Sequence, residues 1–355
     1  MTRFTVKKSN FGMGWETAMR QIATTYDNPP TAAGDFDWKI FSNDLDLSDA
    51  KPTMTRDQQH YVGTDSRMNT MTFEGGFNND AKLTVKGNLR YAHVLNAVLG
   101  GCVSTTTASA TTFLHTISIG DRPSFFTYYQ HGNGTVNHLE TLLGCKADDV
   151  TIEGKENEAV SIEMNALVAK MVACNTTYAL NSSSKALDPT VPYFHWKHSA
   201  VNLTIGGVTY TSSTQNQVEG WKINYKNDTK YKHGSPSTGG QANPNYSTEG
   251  KFEPEITLTL YPEDTKLWAL SPHENKYADT YASSSVSLTI TLTRTTTYDT
   301  LTFNFTDLAV MKVTEAIKEI KDNVSPVEVT LKPARNSSSV YCVANDPCET
   351  YSYSG

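Results

Sequence analysis

Residues 148–171 carry the clearest alternation of apolar and polar positions in the chain, and this alternation predicts a β-hairpin. Two extended runs are joined by a short polar turn at residues 154–157. The apolar positions of the two runs are Val150, Ile152, Val160, Ile162 and Met164. A period of two is the spacing of a strand that buries one side. We therefore expect these residues to face a β-sheet core.

The polar side of this hairpin is strongly acidic. The carboxylates in or beside it are Asp149, Glu153, Glu156, Glu158 and Glu163. One interpretation is a solvated hairpin at the edge of a β domain, since charge runs commonly mark solvated surfaces. The other is the lining of a passage that must not retain a polyanion, because carboxylates repel phosphate. The hairpin alone does not decide between the two.

Elsewhere the pattern predicts strands and one clear helix. A strand containing Leu83 and Val85 precedes a segment from Tyr91 to Leu99 whose apolar residues recur at i, i+3, i+4, i+7 and i+8. Gly100 follows and supplies a left-handed helix end. A helix this short is marginal alone, so we expect its apolar stripe to dock on a sheet.

The later part of the chain repeats the alternation of strands. Residues 113–129 predict two aromatic-rich strands around a turn at 120–123. Further core positions of a sheet are Ile256, Leu258 and Leu260, with other strands expected near 203, 221, 286–292, 301–305 and 327–331. A short helix is expected at 264–270, whereas residues 307–321 fit either a helix or a strand.

The order of these elements suggests two similar lobes in tandem. A strand, a short link, a helix and two strands begin at Leu83, and the same succession begins at Phe252. We predict an N-terminal arm over residues 1–64, with one short helix near 15–22. The lobes would span 65–200 and 201–335, and a polar tail would span 336–355.

Residues 227–250 form a long stretch rich in Gly, Ser, Asn and Lys between two predicted strands. Long loops without apolar periodicity are uncommon inside compact domains and often serve in contacts. We therefore predict a contact loop that includes Asn227, Lys232, Gly239 and Asn245.

Charge and composition exclude several classes of protein. The formal net charge of −7 argues against binding of nucleic acid through a positive field. No apolar run is long enough to cross a bilayer, and the N-terminal residues lack the apolar segment of a secretory signal. The five cysteines are spread widely without a CxxC pair, so their spacing does not predict a zinc site.

No constellation of residues predicts catalysis. The chain lacks the common nucleophile, metal and phosphate-binding motifs. His195 and His198 come closest to a metal pair, but on a strand they would lie on opposite faces. We therefore predict a protein that is not an enzyme, with no catalytic residue, no metal and no cofactor.

Four segments carry a resemblance to a known family. FLHTISIGDRPSFFTYYQHGNG, LLGCKADDVTIEGKENEAVSIEMNALVAKM, LTIGGVTYTSSTQNQVEGWKINYKND and FEPEITLTLYPEDTKLWAL follow one another along the chain. Their order resembles the tail tube proteins, or major tail proteins, of tailed bacterial and archaeal viruses. The resemblance covers roughly residues 70–332 and rests on a diffuse pattern. Residues 1–64 and the tail after Pro333 lie outside it.

This resemblance implies a mainly β chain, a tail-tube β-sandwich or barrel with a short flanking helix. Such subunits assemble as rings that stack into a hollow tube, so the implied partners are further copies of the chain and other tail proteins. Genomic double-stranded DNA would pass through without specific binding. Rings of the family are usually sixfold, and three two-lobed chains would give a pseudo-sixfold ring. The implied location is the virion tail, after synthesis in the host cytoplasm.

The resemblance also assigns roles to the predicted segments. The hairpin carboxylates would line the lumen, the loop 227–250 would contact the next ring, and the N-terminal arm would brace a neighbouring subunit. The alternative is an exported β-rich surface or glycan-binding module, for which the aromatic segment YFHWKH would be the sugar platform. The lack of a signal-like segment weighs against that alternative.

Overall fold

The structure, a computed structural model, describes most of the region in which strands are predicted. The described residues are 8–16, 38–39, 42–46, 81–90, 92, 94–106, 113–132, 137–173, 192–205, 208–212, 218–232, 246–261, 286–294, 299–315, 326–334 and 340–346. They fold almost entirely into antiparallel strands, which confirms the prediction of a mainly β chain.

The first half of the chain contributes ten strands and the one α-helix of the described residues. These elements are β1 Lys8–Trp15, β2 Trp38–Lys39, β3 Ser42–Asp46, β4 Lys82–Asn88, α1 Val94–Leu99, β5 Gly100–Thr106, β6 Phe113–Ile119, β7 Phe125–Gly132, β8 Asn137–Lys155, β9 Ser161–Leu167 and β10 Lys170–Ala173.

The second half opens with a single 3-10 turn, Trp196–His198, and then continues as strands. They are β11 Ser199–Ile205, β12 Val208–Thr211, β13 Val218–Lys226, β14 Lys230–Lys232, β15 Tyr246–Thr248, β16 Glu253–Leu260, β17 Val286–Thr293, β18 Thr300–Phe305, β19 Leu308–Glu315, β20 Val327–Pro333 and β21 Val340–Asp346.

The larger sheet has twelve strands, eight of which form one continuous antiparallel row. That row runs β3-β4-β9-β8-β13-β16-β20-β19. It uses only the C-terminal part of β8, from Lys146 onward. The preceding part of the same strand pairs with β7 and β10, and β7 carries β1 and β2. The long β8 therefore joins the row to a second group of strands.

The smaller sheet has seven strands in the order β12-β11-β17-β18-β21-β6-β5. One hydrophobic core contains residues of both sheets. The ring of Trp221 in β13 lies 6.0 Å from the ring of Phe303 in β18, and Tyr225 Oη lies 3.9 Å from Cys342 Sγ in β21. Burial of this large aromatic and aliphatic surface is the main force that holds the two sheets together.

The helix predicted before Gly100 is present as α1. Its six residues are all buried, as expected for a short helix that depends on docking. Gly100 ends it with φ of +94°, and a Cβ there would lie 2.5 Å from the carbonyl oxygen of Gly120. Only glycine fits this position, both for its left-handed backbone and for its close approach to the next chain segment.

The predicted hairpin is formed by the C-terminal part of β8 and by β9. Val150 is paired with Met164, and Ile152 with Ile162. The alternation read from the sequence therefore sets the register, since a slip by one residue would turn the apolar side to solvent.

Other expectations differ from the structure. Trp15, predicted to begin a helix near residues 15–22, is the last residue of β1, where it packs edge-on against Phe125 at 6.4 Å. Residues 17–22 lie outside the described residues. The ambiguous segment 307–321 forms strand β19 over Leu308–Glu315, because its apolar residues pair along β20.

The predicted N-terminal arm contributes β1, β2 and β3 to the larger sheet. β6 and β7 are both strands, but they belong to different sheets, so the turn between them is a crossover. The predicted lobe boundary at residue 200 falls within β11, and strands from both sides of it share each sheet. The division into lobes therefore does not separate the sheets, and it stays a prediction.

Gly154 should be intolerant of any side chain. A Cβ there would lie 2.5 Å from the ring of Trp221, which crosses the strand at this point. We expect Gly154→Ala to lower the free energy of unfolding by about 1–3 kcal/mol through overpacking. Urea denaturation of the unassembled chain would measure this change.

Gly220 provides the matched control on the neighbouring strand. Its Cβ would meet only ordinary contacts, the nearest at 3.5 Å. Gly220→Ala should therefore change stability by less than about 0.5 kcal/mol. Equal losses from the two substitutions would contradict the assigned packing of Trp221.

Candidate functional site

The side of the eight-strand row that faces away from the core is a continuous charged surface, here called the outer face. Among the residues whose side chains the structure describes, its carboxylates include Asp149, Glu153, Glu163, Glu253, Glu255 and Glu328. Its lysines are Lys82, Lys86, Lys155, Lys222, Lys226, Lys312 and Lys332. The surface therefore carries carboxylates and lysines in similar number.

The residues predicted for the hairpin divide between the two sides of the sheet. Asp149, Glu153 and Glu163 lie half-exposed on the outer face, and Glu156 and Glu158 are exposed in the turn between β8 and β9. On the core side Ile162 is partly buried, and the fully buried members of the predicted set are Val150, Ile152, Val160, Met164, Ile256, Leu258 and Leu260.

Strands on both sides of the hairpin bring lysines to its carboxylates. On one side Lys86 of β4 is paired with Glu163, and Nζ lies 3.3 Å from Oε1. On the other side β13 places Lys222 opposite Glu153 and Lys226 opposite Asp149. The acidic character read from the hairpin alone is therefore offset within the folded sheet.

The fold changes the proton affinity of Asp149. Its pKa is raised, first because partial burial disfavours the charged form and then because Asp148 repels it. Lys226 opposes both effects without cancelling them. Asp149 should therefore take up a proton at a higher pH than an ordinary exposed aspartate does.

Exposed ion pairs of this kind contribute little to folding stability, but they set the character of a surface. Asp149, Glu153 and Glu163 each lie beside a lysine, so part of the lysine charge is neutralised over a short distance. Because carboxylates are interspersed with these lysines, we expect the outer face to attract phosphate less than the same lysines would alone.

Sequence reasoning missed the lysines of this surface. The alternation of Lys222, Asn224 and Lys226 in β13 was readable and would have placed them on one polar side. That β13 lies beside β8 could not be read, because the two strands are separated by a long intervening chain and by several other strands.

The predicted contact loop 227–250 begins and ends in an ordered base. β14 and β15 pair at its two ends, and Lys232 is exposed at the end of β14. Asn227 is buried instead, and its Nδ2 donates to the carbonyl oxygens of Val98 and Ala147 at 3.4 and 3.5 Å. It anchors the loop rather than presenting a contact. Gly239 and Asn245 lie outside the described residues.

Two buried cations and a more exposed carboxylate fix the base of this loop, a cluster that no local sequence pattern predicts. Arg122 is almost fully buried and donates to Ala147 O and to Thr229 Oγ1, while its Nε lies 3.3 Å from Glu249. Lys146 Nζ lies 3.4 Å from the same carboxylate. Burial lowers the pKa of Lys146, an effect that Glu249 opposes. Two cations thus share one carboxylate.

The segment that contains His195 and His198 is a structural brace for the hairpin turn. Trp196 N donates to Glu158 O at 2.9 Å, and Val160 N donates to Phe194 O at 2.8 Å. His198 Nδ1 accepts the backbone N–H of His195 at 3.1 Å, which caps the 3-10 turn. The histidines therefore act here through backbone contacts.

The stability of this brace should depend on pH. Burial lowers the pKa of His198 below its ordinary 6.5, and Lys197 and His195 add repulsion. The unfolded chain therefore binds more protons than the folded chain. The contribution of His198 to the free energy of unfolding is complete above pH 6.5 and is lost as the pH falls through the pKa of His198 in the folded chain. We expect a lower urea midpoint at about pH 5 than at about pH 7.5.

The matched variant is His198→Asn, whose Oδ1 can accept the same N–H without titrating. It should retain more of its stability between the two pH values than the unmodified chain. An identical loss in both proteins would show that His198 does not carry the effect.

Two further findings concern the described part of the chain. No helix there is long and apolar enough to cross a membrane. No group of three or more His, Cys, Asp or Glu side chains there is arranged to hold a metal ion.

Comparison with known proteins agrees with the resemblance read from the sequence. A family model described as phage tail tube protein matches residues 7–333, which is nearly the whole chain. The expectation that residues 1–64 lie outside the resemblance is therefore wrong for residues 7–64, whereas the tail after Pro333 does lie outside the match. No curated protein matches.

Two solved structures are similar to parts of the chain. One is from the sheath-tube complex of an extracellular contractile injection system, PVC, in its extended state. It is 16% identical with a TM-score of 0.30, over 46% of this chain and 98% of that one. The other is the anti-feeding prophage cap, described as a tube terminating cap. It is 13% identical with a TM-score of 0.29, over 47% and 99%.

Proposed function

The chain belongs to the phage tail tube protein family, and on that premise we propose that its copies assemble as stacked rings into a hollow tail tube that delivers double-stranded DNA. Its role is structural, as a component of the virion tail. We propose that it is synthesised in the host cytoplasm and acts without catalysis. Its partners are further copies of itself and other tail proteins.

The observation that carries this proposal is the eight-strand row with its two terminal strands. β3 pairs only with β4 among the named strands, and β19 only with β20. Exposed strand edges invite pairing with another chain, so stable proteins normally cover or shorten them. Edge-to-edge assembly into a closed ring would pair both terminal strands and leave a cylinder of strands.

The outer face fits the wall of such a lumen. Its charged side chains turn away from the core, and Lys86 and Glu163, for example, form an ion pair across neighbouring strands. We propose that Asp149, Glu153, Glu156, Glu158 and Glu163 line the passage. By holding the lysine charges, the carboxylates would let DNA slide rather than bind.

The loop between β14 and β15 is proposed to contact the next ring. Its base is held by the Arg122–Lys146–Glu249 cluster and by Tyr231, whose Oη donates to the carbonyl oxygens of Gly144 and Leu167. A rigid base suits a projecting contact segment, because less conformational entropy is lost when the tip binds.

Electron microscopy of the purified, concentrated protein tests the assembly. We expect hollow tubes or rings with sixfold averages, made of six chains or of three two-lobed chains; the mass of a ring decides between these. A chain that stays monomeric at every concentration and binds glycans in an array would contradict the proposal and favour the surface module.

A loop variant separates ring formation from ring stacking. Replacing residues 233–245 with a short glycine linker leaves β14 and β15 intact. We expect this variant to form rings that do not stack into tubes. Tubes of normal length would show that the loop does not connect the rings.

Reversing the charge of the hairpin tests the lining. Glu153→Lys plus Glu163→Lys should still permit rings, because both side chains lie outside the core, but it should slow or block DNA passage. Particles that carry both changes can be compared with normal particles for the rate of DNA ejection. The neutral pair Glu153→Gln and Glu163→Gln should give an intermediate rate. It removes two carboxylates that lie beside lysines, but it adds no new positive charge.

Asp121→Lys serves as a control for charge, because Asp121 is exposed in the crossover between β6 and β7 and lies outside the outer face. It should leave ejection unchanged. Normal ejection by the doubly charge-reversed particles would rule out the lining role of the hairpin.

A further inference from the structure

The eight-strand row consists of two four-strand units with the same topology. In chain order the first unit is β3, β4, β8 and β9, and the second is β13, β16, β19 and β20. Within the sheet the two units are arranged as β3-β4-β9-β8 and β13-β16-β20-β19. If the strands of each unit are numbered by their order in the chain, both units have the same order in the sheet: first, second, fourth, third. β8, at the end of the first unit in the sheet, pairs with β13, at the start of the second unit.

The units also share an irregularity in their first strands. The register of β3 against β4 shifts between Ser42 and Asp44, and the register of β13 against β16 shifts between Val218 and Gly220. Alignment of these two bulges places Asp44 on Gly220. When the strand pairing is followed from β3 to β4 and from β13 to β16, Thr84 of β4 becomes equivalent to Thr257 of β16.

A second pair of bulges gives the same alignment independently. The register of β8 against β9 shifts between Ala147 and Asp149, and that of β19 against β20 shifts between Val310 and Lys312. When Asp149 is placed on Lys312, the pairings through β9 and β20 again place Thr84 on Thr257. Bulges re-aim strands and are designed features of a sheet, so their agreement is informative.

The alignment also matches the core. The equivalent buried positions are Leu83 with Ile256, Val85 with Leu258, Met164 with Val329, and Ala166 with Leu331. On the outer face Glu163 falls on Glu328. The two units therefore bury the same side of the sheet and direct the same side outward.

We propose that the row is a duplicated unit, and that the β8–β13 junction inside one chain is repeated between chains as a junction of β19 with β3 of a second copy. This inference rests on the proposed function and adds the partner strands and their register. In the duplicated unit β19 takes the place of β8, and β3 the place of β13. The directions agree, because strands alternate along the row and β3 of the next copy would continue that alternation antiparallel to β19.

The junction inside the chain fixes the register expected between chains. Lys222 of β13 lies opposite Glu153, so it is the diagonal neighbour of Thr151 on the same face. The equivalents of Lys222 and Thr151 are Asp46 and Thr314. Diagonal neighbours on one face of a sheet lie roughly 7–8 Å apart. Asp46 of one copy should therefore lie at about this distance from Thr314 of the next.

Crosslinking of paired cysteines tests this register. Assembled Asp46→Cys, Thr314→Cys protein should be joined into covalent chains of two or more copies by a bis-maleimide with a spacer of about 8 Å. The control pair, Asp46→Cys with Lys312→Cys, corresponds to Lys222 and Asp149. These positions are offset by about 13 Å along the strands, so the yield should fall several-fold.

The single variants test the polarity of the junction. A head-to-tail junction brings β19 to β3, so neither Asp46→Cys nor Thr314→Cys alone should crosslink beyond the unmodified chain. The unmodified chain is treated in parallel because Cys102 is partly exposed. Efficient crosslinking of either single variant would indicate like-to-like pairing and overturn the inference.

Assembly and register can fail separately. Tubes that form normally but give no preference for Asp46 with Thr314 would overturn the duplicated junction and leave the tube function standing. Failure of the unmodified chain to assemble under any condition would contradict both.

Discussion

The antiparallel pairing of β8 with β13 is the interaction on which the rest of the sheet depends. It runs from Asp149 opposite Lys226 to Lys155 opposite Gly220, and it joins strands from the two halves of the chain into one row. Trp221 lies at this junction, where it covers Gly154 on one side and reaches Phe303 of the smaller sheet on the other. The same contacts therefore align the hairpin, close the row and fasten the two sheets. A junction that already works within the chain provides a physical template for pairing between chains.

The outer face shows how neighbouring strands change the meaning of a local charge pattern. Glu163 is bound by Lys86, and Lys222 lies opposite Glu153. The resulting surface has charges of both signs on neighbouring strands. In the proposed lumen, this mixture of charges would offer a sliding polyanion few lasting contacts. The proposed role of the carboxylates is to neutralise the neighbouring lysines. A surface with carboxylates alone is not needed for DNA to pass.

Local physics made part of this structure readable from the sequence. The period of two at Val150 and Ile152 predicted the hairpin, and Gly100 marked the end of the helix. Features that depend on distant partners were not readable. Asn227 was expected in a contact loop, but its site is formed by the carbonyls of Val98 and Ala147. Trp15 was expected in a helix, but β1 gains its hydrogen bonds from β7. Partners far apart in sequence decided both cases.

A reconstruction of assembled tubes at a resolution that separates strands would show how the strands of neighbouring copies pair. We expect an unbroken cylinder of strands in which β19 of each copy pairs with β3 of the next, with the outer face of the row turned toward the lumen. Rings whose copies touch through other surfaces, or whose charged face points outward, would contradict it.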